Sequence, residues 1–138
     1  MNATDKSDTK KRPWVGYIIS ILPVLFLLMD GIMKLFKPQV VVDTTVQLGY
    51  PESSIIPIGI ALLVCTVLYI IPQTSVLGAI LLTGYLGGAV ATHVRVENPL
   101  FTYILVPVYL AIFLWLGLYL RDPRLRKLVP LRSRPTEN

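Results

Sequence analysis

The sequence predicts an all-α integral membrane protein: a four-helix bundle of antiparallel, up-down spans, with a short interfacial helix between spans 1 and 2. Of its 138 residues, 54% are hydrophobic and only 15% are charged, whereas soluble domains carry about 25% charged residues. The apolar residues form four runs, each near the roughly 20 residues that cross a bilayer core. Lysine and arginine gather at the two chain ends, where they flank a membrane.

The first span is predicted over residues 14–36, after a polar and basic tail of residues 1–13. The tail has little apolar surface to bury, so we expect it to lie outside the folded domain and to be largely mobile. Trp14 stands where an aromatic anchor meets the lipid boundary. Pro38 follows the span and cannot continue the helix.

The connection between the first two spans is too apolar for a simple solvated loop, because it holds a run of valines after Pro38. Proline is favoured at a helix start and glycine just past a helix end. Pro38 and Gly49 therefore predict a short helix between them. We expect this helix to lie on the membrane surface or over the mouth of the bundle.

The remaining spans are predicted over residues 55–71, 76–96 and 100–120, and they complete a transmembrane domain of residues 14–120. The short turn from Pro72 to Ser75 makes the second and third spans antiparallel. Asn98 and Pro99 separate the third span from the fourth. A second basic tail, residues 121–138, ends the chain.

The third span carries small residues at four-residue spacing, in two rows that include Gly84, Gly87 and Gly88. Such rows let a neighbouring helix backbone approach closely where lipid is as apolar as leucine. The pattern predicts helix packing at these three glycines and makes this span the central, protein-contacting helix.

The basic residues predict the orientation of the chain. The two tails hold ten lysines and arginines, and the two connections on the far side hold three. A basic excess marks the cytoplasmic side, so both termini are predicted to be cytoplasmic. The net charge of +5 does not indicate nucleic-acid binding, because the basic residues form no folded patch.

Polar and ionisable residues collect at the opposite end of the spans. Such groups at membrane depth are costly and indicate a functional site. His93 can move protons near neutral pH, and Asp30 can hold its tautomer or share its proton. The candidate pocket comprises Asp30, Lys34, Gln47, Tyr50, Tyr85, Thr92, His93, Arg95 and Glu97.

A simpler interpretation stays open for the same residues. Asp30 and Lys34, and likewise His93 and Glu97, are spaced by four and can form ion pairs at helix ends. A metal site is not indicated, because one histidine, scattered carboxylates and the single cysteine, Cys65, supply no recognisable ligand set.

Several motifs together resemble the DoxX-like family. They are, in order, LFLLMDGIMKLFKP (25–38), VQLGYP (46–51), IIP (70–72) and GGAVATH (87–93). The resemblance covers about residues 14–120. It implies a small four-helix protein of the bacterial cytoplasmic membrane. Members of the wider group are associated with membrane redox systems, including a thiosulfate:quinone oxidoreductase subunit and oxidant-resistance complexes.

Two functions are expected from residues and resemblance together. The first is an accessory subunit of a membrane redox system, which binds a quinone-like or sulfur-containing molecule in the outward-facing polar pocket. The second is a non-catalytic membrane scaffold or small-solute transport module. Expected partners are the lipid bilayer, an oxidoreductase and a second copy of the chain. No nucleophile elbow or phosphate loop is present, and whether the chain is an enzyme stays open.

Overall fold

The computed structural model describes the backbone of residues 3–128 and the side chains of residues 14–128. The described chain is helical throughout apart from short connections. Its elements are α1 (Ala3–Phe36), α2 (Gln39–Gln47), a 3-10 turn (Glu52–Ser54), α3 (Ile55–Ile70), α4 (Ser75–Arg95), a π-helical turn (Leu100–Ile104), α5 (Leu105–Arg121) and α6 (Pro123–Leu128). Residues 129–138, the rest of the predicted C-terminal tail, lie outside the described residues.

Four helical segments are long and apolar enough to cross a membrane: Trp14–Phe36, Glu52–Ile70, Ser75–Arg95 and Leu100–Arg121. The predicted all-α, four-span architecture is therefore confirmed. The chain differs from the prediction at its two flanks. The backbone of residues 3–13 continues α1 as helix, and α6 follows the fourth span directly.

The four long helices close into a ring. α1 contacts α3 and α5, and α4 contacts the same two helices, so the order around the bundle is α1, α3, α4, α5. We call the end that contains Trp14, Ile70, Ser75 and Arg121 the near end. The end that contains Phe36, Ile55, Arg95 and Leu100 is the far end.

Glycines bring α1 close to both of its neighbours. A Cβ atom added at Gly16 would lie 2.6 Å from the carbonyl oxygen of Gly117, and one added at Gly117 would overlap the side chain of Ser20. At the far end, a Cβ atom added at Gly31 would lie 2.7 Å from Leu63 Cδ2. Only glycine allows these backbones to approach so closely.

The apolar core occupies the middle and the near end of the bundle. Tyr69 is fully buried there, and its hydroxyl donates to the carbonyl oxygen of Leu114 at 2.6 Å. The same hydroxyl lies 3.0 Å from Ser20 Oγ, so both polar groups are paired. The core residues are Leu27, Leu62, Tyr69, Ala79, Leu82, Leu86, Leu114, Leu118 and Leu125.

The predicted packing at the α4 glycines is wrong within the described chain. A Cβ atom added at Gly84, Gly87 or Gly88 would meet no atom within 4 Å. The buried face of α4 instead carries residues such as Gly78 and Leu82, and the three glycines are exposed. α4 is thus one member of the ring rather than its centre, and α1 contacts its two neighbours more extensively than α4 does.

The predicted short helix between the first two spans is present as α2. It begins after Pro38 and ends before Gly49, whose positive φ of 86° is readily available only to glycine. No residue of α2 is buried. Its position at a membrane surface stays a prediction.

Candidate functional site

The predicted pair of Asp30 and Lys34 forms on α1. Lys34 Nζ donates to Asp30 Oδ2 at 2.5 Å, across one helical turn. Gly59 of α3 lies against the Lys34 Cβ atom, so α3 covers the lysine stem. The Lys34 side chain is 18% exposed and that of Asp30 is 40% exposed. The lysine is therefore enclosed, while its carboxylate partner stays accessible.

Tyr85 of α4 faces the same region from across the ring. Its half-buried phenol lies within electrostatic range of Asp30, Cys65 and Tyr50. These groups come from α1, α3 and the connection after α2.

Tyr50 and Thr92 join the connection after α2 to α4. The Tyr50 hydroxyl lies 2.9 Å from Thr92 Oγ1, and Thr92 Oγ1 donates to the carbonyl oxygen of Gly88 at 2.9 Å. A threonine hydroxyl has one proton to donate. Tyr50 is therefore the donor to Thr92. We call Asp30, Lys34, Tyr50, Tyr85 and Thr92 the Asp30 cluster.

Arg95 binds the backbone of the connection after α2. Its Nη2 atom donates to the carbonyl oxygen of Leu48 at 2.6 Å, and a Cβ atom at Gly49 would lie 2.9 Å from the same nitrogen. The missing side chain of Gly49 thus makes room for the guanidinium group. Gln47, the last residue of α2, is exposed.

His93 contacts the connection after α4 and the π-helical turn that precedes α5. The Asn98 amide nitrogen lies 2.8 Å from His93 Nδ1, and the Tyr103 ring centroid lies 5.7 Å from that of His93. We call these three residues the His93 cluster. None of the contacts described for His93 reaches Asp30. The contacts described for the predicted pocket residues therefore fall into two groups.

The expected helix-end pair of His93 and Glu97 does not form in the described chain. The ion pairs found there are Asp30–Lys34, Lys37–Glu52 and Asp122–Arg124. α4 ends at Arg95, and Glu97 is exposed at a positive φ of 55°. The four-residue spacing no longer places two side chains on one face once the helix has ended.

A groove of about 320 Å³ runs between α4 and α5. Its lining is almost wholly apolar and includes Gly87, Val90, Pro107 and Ala111. Towards the near end, Trp115 Nε1 donates to Thr83 Oγ1 at 2.7 Å, which joins the two helices. The prediction from sequence did not identify this groove, because its residues are unremarkable members of apolar runs.

The near end holds a polar network that the sequence did not reveal. Arg121 lies over the rings of Tyr17 and Tyr69, at 5.1 and 4.8 Å from their centroids. Its Nη2 atom donates to the Tyr69 carbonyl oxygen at 3.2 Å. Stacked tyrosines and an arginine attract each other through the ring quadrupole. This arginine therefore fastens α1, α3 and α5 together.

Asp122 follows this network at the start of the C-terminal segment. Its pKa is held below the usual range, chiefly because the Arg124 side chain donates hydrogen bonds to the carboxylate. Arg124 also donates to the carbonyl oxygen of Pro72 at 3.1 Å. The pair thus ties the segment after α5 to the turn between α3 and α4.

Within residues 14–128, no three histidine, cysteine, aspartate or glutamate side chains stand close enough to hold a metal ion. The far-end groups are hydrogen-bond donors and acceptors. A model of the DoxX-like family matches residues 18–117, which is most of the chain and reaches all four spans. No curated protein matches the chain. No solved structure matches it either.

Proposed function

Because the chain belongs to the DoxX-like family and is a multi-pass membrane protein, we propose that it is an accessory subunit of a membrane redox system. It binds a small quinone-like or sulfur-containing molecule at the Asp30 cluster. One observation carries the proposal. Polar side chains of α1, α4 and the connection after α2 lie at the far end of a bundle whose core is apolar.

The chemistry of the Asp30 cluster suits such a molecule. Lys34 and the Tyr85 hydroxyl can donate hydrogen bonds to a carbonyl or to an oxygen of a sulfur oxyanion. Asp30 is an acceptor that can also take up or release a proton. Reduction of a quinone to a quinol consumes as many protons as electrons, and these residues lie where such protons would move.

The electrons require a partner. The chain has a single cysteine and hence no internal dithiol pair. A membrane-bound or peripheral oxidoreductase would supply or accept the electrons. In the proposed orientation both termini face the cytoplasm, because ten of the 13 lysines and arginines lie in the two tails. The Asp30 cluster then opens to the outer face of the bacterial cytoplasmic membrane.

The proposal is tested by ligand-dependent thermal stability of the purified protein. The probes are a benzoquinone without a hydrocarbon chain and thiosulfate. We expect one of them to raise the unfolding temperature, as any ligand that binds only the folded state does. Asp30→Asn and Tyr85→Phe should each weaken this binding by about tenfold, which is the loss of one or two good hydrogen bonds.

Asp43→Asn is the matched control. Asp43 is exposed on α2 and accepts only from Gln39, at 2.8 Å. This variant should bind like the natural protein. The proposal fails if neither probe changes the unfolding temperature, or if all three variants respond equally to the probe that does.

The open face of α4 favours assembly with a partner helix as a second candidate function. Leu77, Gly84 and Ala91 are exposed on this face, and the space next to Gly84 is empty. A second copy of the chain could pack there through its own α4. In that case Gly84→Leu abolishes crosslinked dimers in native membranes and leaves the monomer folded. Equal crosslinking in both proteins would remove this candidate.

A further inference from the structure

We infer that the groove between α4 and α5 is a second binding site, which takes the hydrocarbon chain of a neutral membrane amphiphile. The carbonyl or hydroxyl head of this molecule reaches the His93 cluster. The inference goes beyond the proposed function, because the Asp30 cluster lies towards α1 and α3 and the groove lies on the α5 side of α4.

The shape of the groove fits one chain. On α4 the lining runs from Thr83 to Val90, and on α5 it runs from Pro107 to Trp115. At about 1.5 Å per helical residue the groove is about 11 Å long, roughly a third of the hydrocarbon core of a bilayer. Its volume of about 320 Å³ lies at the lower end of the range for ligand pockets. It therefore suits one slender chain better than a bulky ring.

The groove opens to the side of the bundle. Its floor includes the buried residues Leu86 and Pro107, while Gly87 and Ile112 on its rim are exposed. Both helices are membrane spans, so the opening faces lipid. The hydrogen bond between Trp115 and Thr83 uses the indole donor at the near-end limit of the groove. A ligand entering here meets apolar surface and comes directly from the bilayer.

The polar groups that would bind the head of the ligand lie at the far-end limit of the groove. His93 lies about one turn beyond Val90, Tyr103 lies one turn before Pro107, and their rings are 5.7 Å apart. Tyr103 is 46% exposed, so its hydroxyl can reach a neighbouring head group. Asn98 contacts His93 on the other side.

The charges of the residues in the His93 cluster determine which head group they can bind. None of the three is a permanent cation, and the nearby Arg95 already donates to the Leu48 carbonyl oxygen. Phosphate heads are bound mainly by lysine and arginine. The His93 cluster therefore fits an uncharged carbonyl or hydroxyl head and disfavours a phospholipid.

The experiment uses the fluorescence of Trp115 in the full chain, with Trp14→Phe as background so that one tryptophan remains. The probe is decyl alcohol brominated at the tip of its chain. Its hydroxyl head would reach the His93 cluster, while the bromine would lie at Trp115 and quench tryptophan on contact. We expect saturable quenching by this probe and no saturable quenching by bromoethanol, which lacks the long chain. Gly87→Leu should weaken the binding by about tenfold, the loss expected when roughly two methylene groups no longer fit.

Gly88→Leu is the matched control, because it makes the same change on the next residue without lining the groove. Its binding should stay within about twofold of the background protein. If Gly87→Leu is not recovered folded, Ala111→Leu fills the groove from α5. Equal quenching in all variants would overturn the inference, as would saturable quenching by bromoethanol. Displacement of the probe by phosphatidylglycerol at equal concentration would overturn the proposed preference for an uncharged head group.

Discussion

The two ends of the bundle use polar groups in opposite ways. At the near end, Ser20, Tyr69 and Arg121 bond to backbone carbonyls and to one another within close-packed helices. At the far end, Asp30 and Tyr50 keep much of their surface accessible. Buried polar groups that are hydrogen-bonded stabilise a fold, whereas accessible ones remain available to a ligand. The comparison indicates that the near end is built for stability, whereas the far end has the accessible polar groups that the proposed function requires.

Glycine replacements should separate the two roles most strongly. Gly117→Leu places a side chain where even a Cβ atom overlaps Ser20, and we expect it to lower the free energy of unfolding by about 3 kcal/mol or more. Gly84→Leu enters empty space and should change stability by less than about 0.5 kcal/mol. Unfolding in mixed micelles measures both. Similar values for the two variants would contradict the assignment of close packing.

Removing one tyrosine hydroxyl at each end should give a smaller difference in the free energy of unfolding. Tyr69→Phe leaves the buried Leu114 carbonyl without its side-chain donor and should cost about 1–2 kcal/mol. Tyr50→Phe loses the contact with Thr92 at a partly exposed site and should cost about 0.5 kcal/mol. The same unfolding measurement applies. A larger loss in Tyr50→Phe would mean that the connection after α2 supports the bundle more than the core hydroxyl does.

The smallest effect is expected from pH at the near end. Arg124 lowers the pKa of Asp122 on folding. Asp122 therefore contributes stability above its unfolded pKa of about 4, and this contribution is lost as the pH falls through the lower folded pKa. The unfolding temperature should fall with acid in the natural protein, and less steeply in Asp122→Asn. Arg124→Gln should flatten the profile in the same way, and a parallel profile in all three proteins would exclude this linkage.

The sequence predicts where the helices are, but it does not predict which face of each helix packs against which neighbour. Runs of apolar residues specify spans because the bilayer fixes their length, and Pro38 with Gly49 marks a helix through backbone geometry. Small-residue spacing shows that a helix can be approached closely, but not which helix approaches it. The contacts at Gly16, Gly31 and Gly117 therefore went unpredicted, while the open row at Gly84 was expected to be covered.

The sequence also could not predict which neighbours His93 contacts within the polar pocket. A histidine near a helix end can face either neighbouring helix. A shift of one or two residues in its position changes which helix it faces. The end of α4 at Arg95 places His93 beside Asn98 and Tyr103, and it takes Glu97 off the helical face. Helix ends are set by local backbone geometry, which sequence patterns locate only to within a turn.

The contact between Gly16 and Gly117 has a consequence for biogenesis. The first of the four spans to leave the ribosome packs against the fourth, so the ring closes only after the fourth span has been inserted. Until then the Tyr69 hydroxyl lacks its acceptor on α5. A chain with three spans inserted therefore cannot yet form the packed near end, and its stability depends on the arrival of α5.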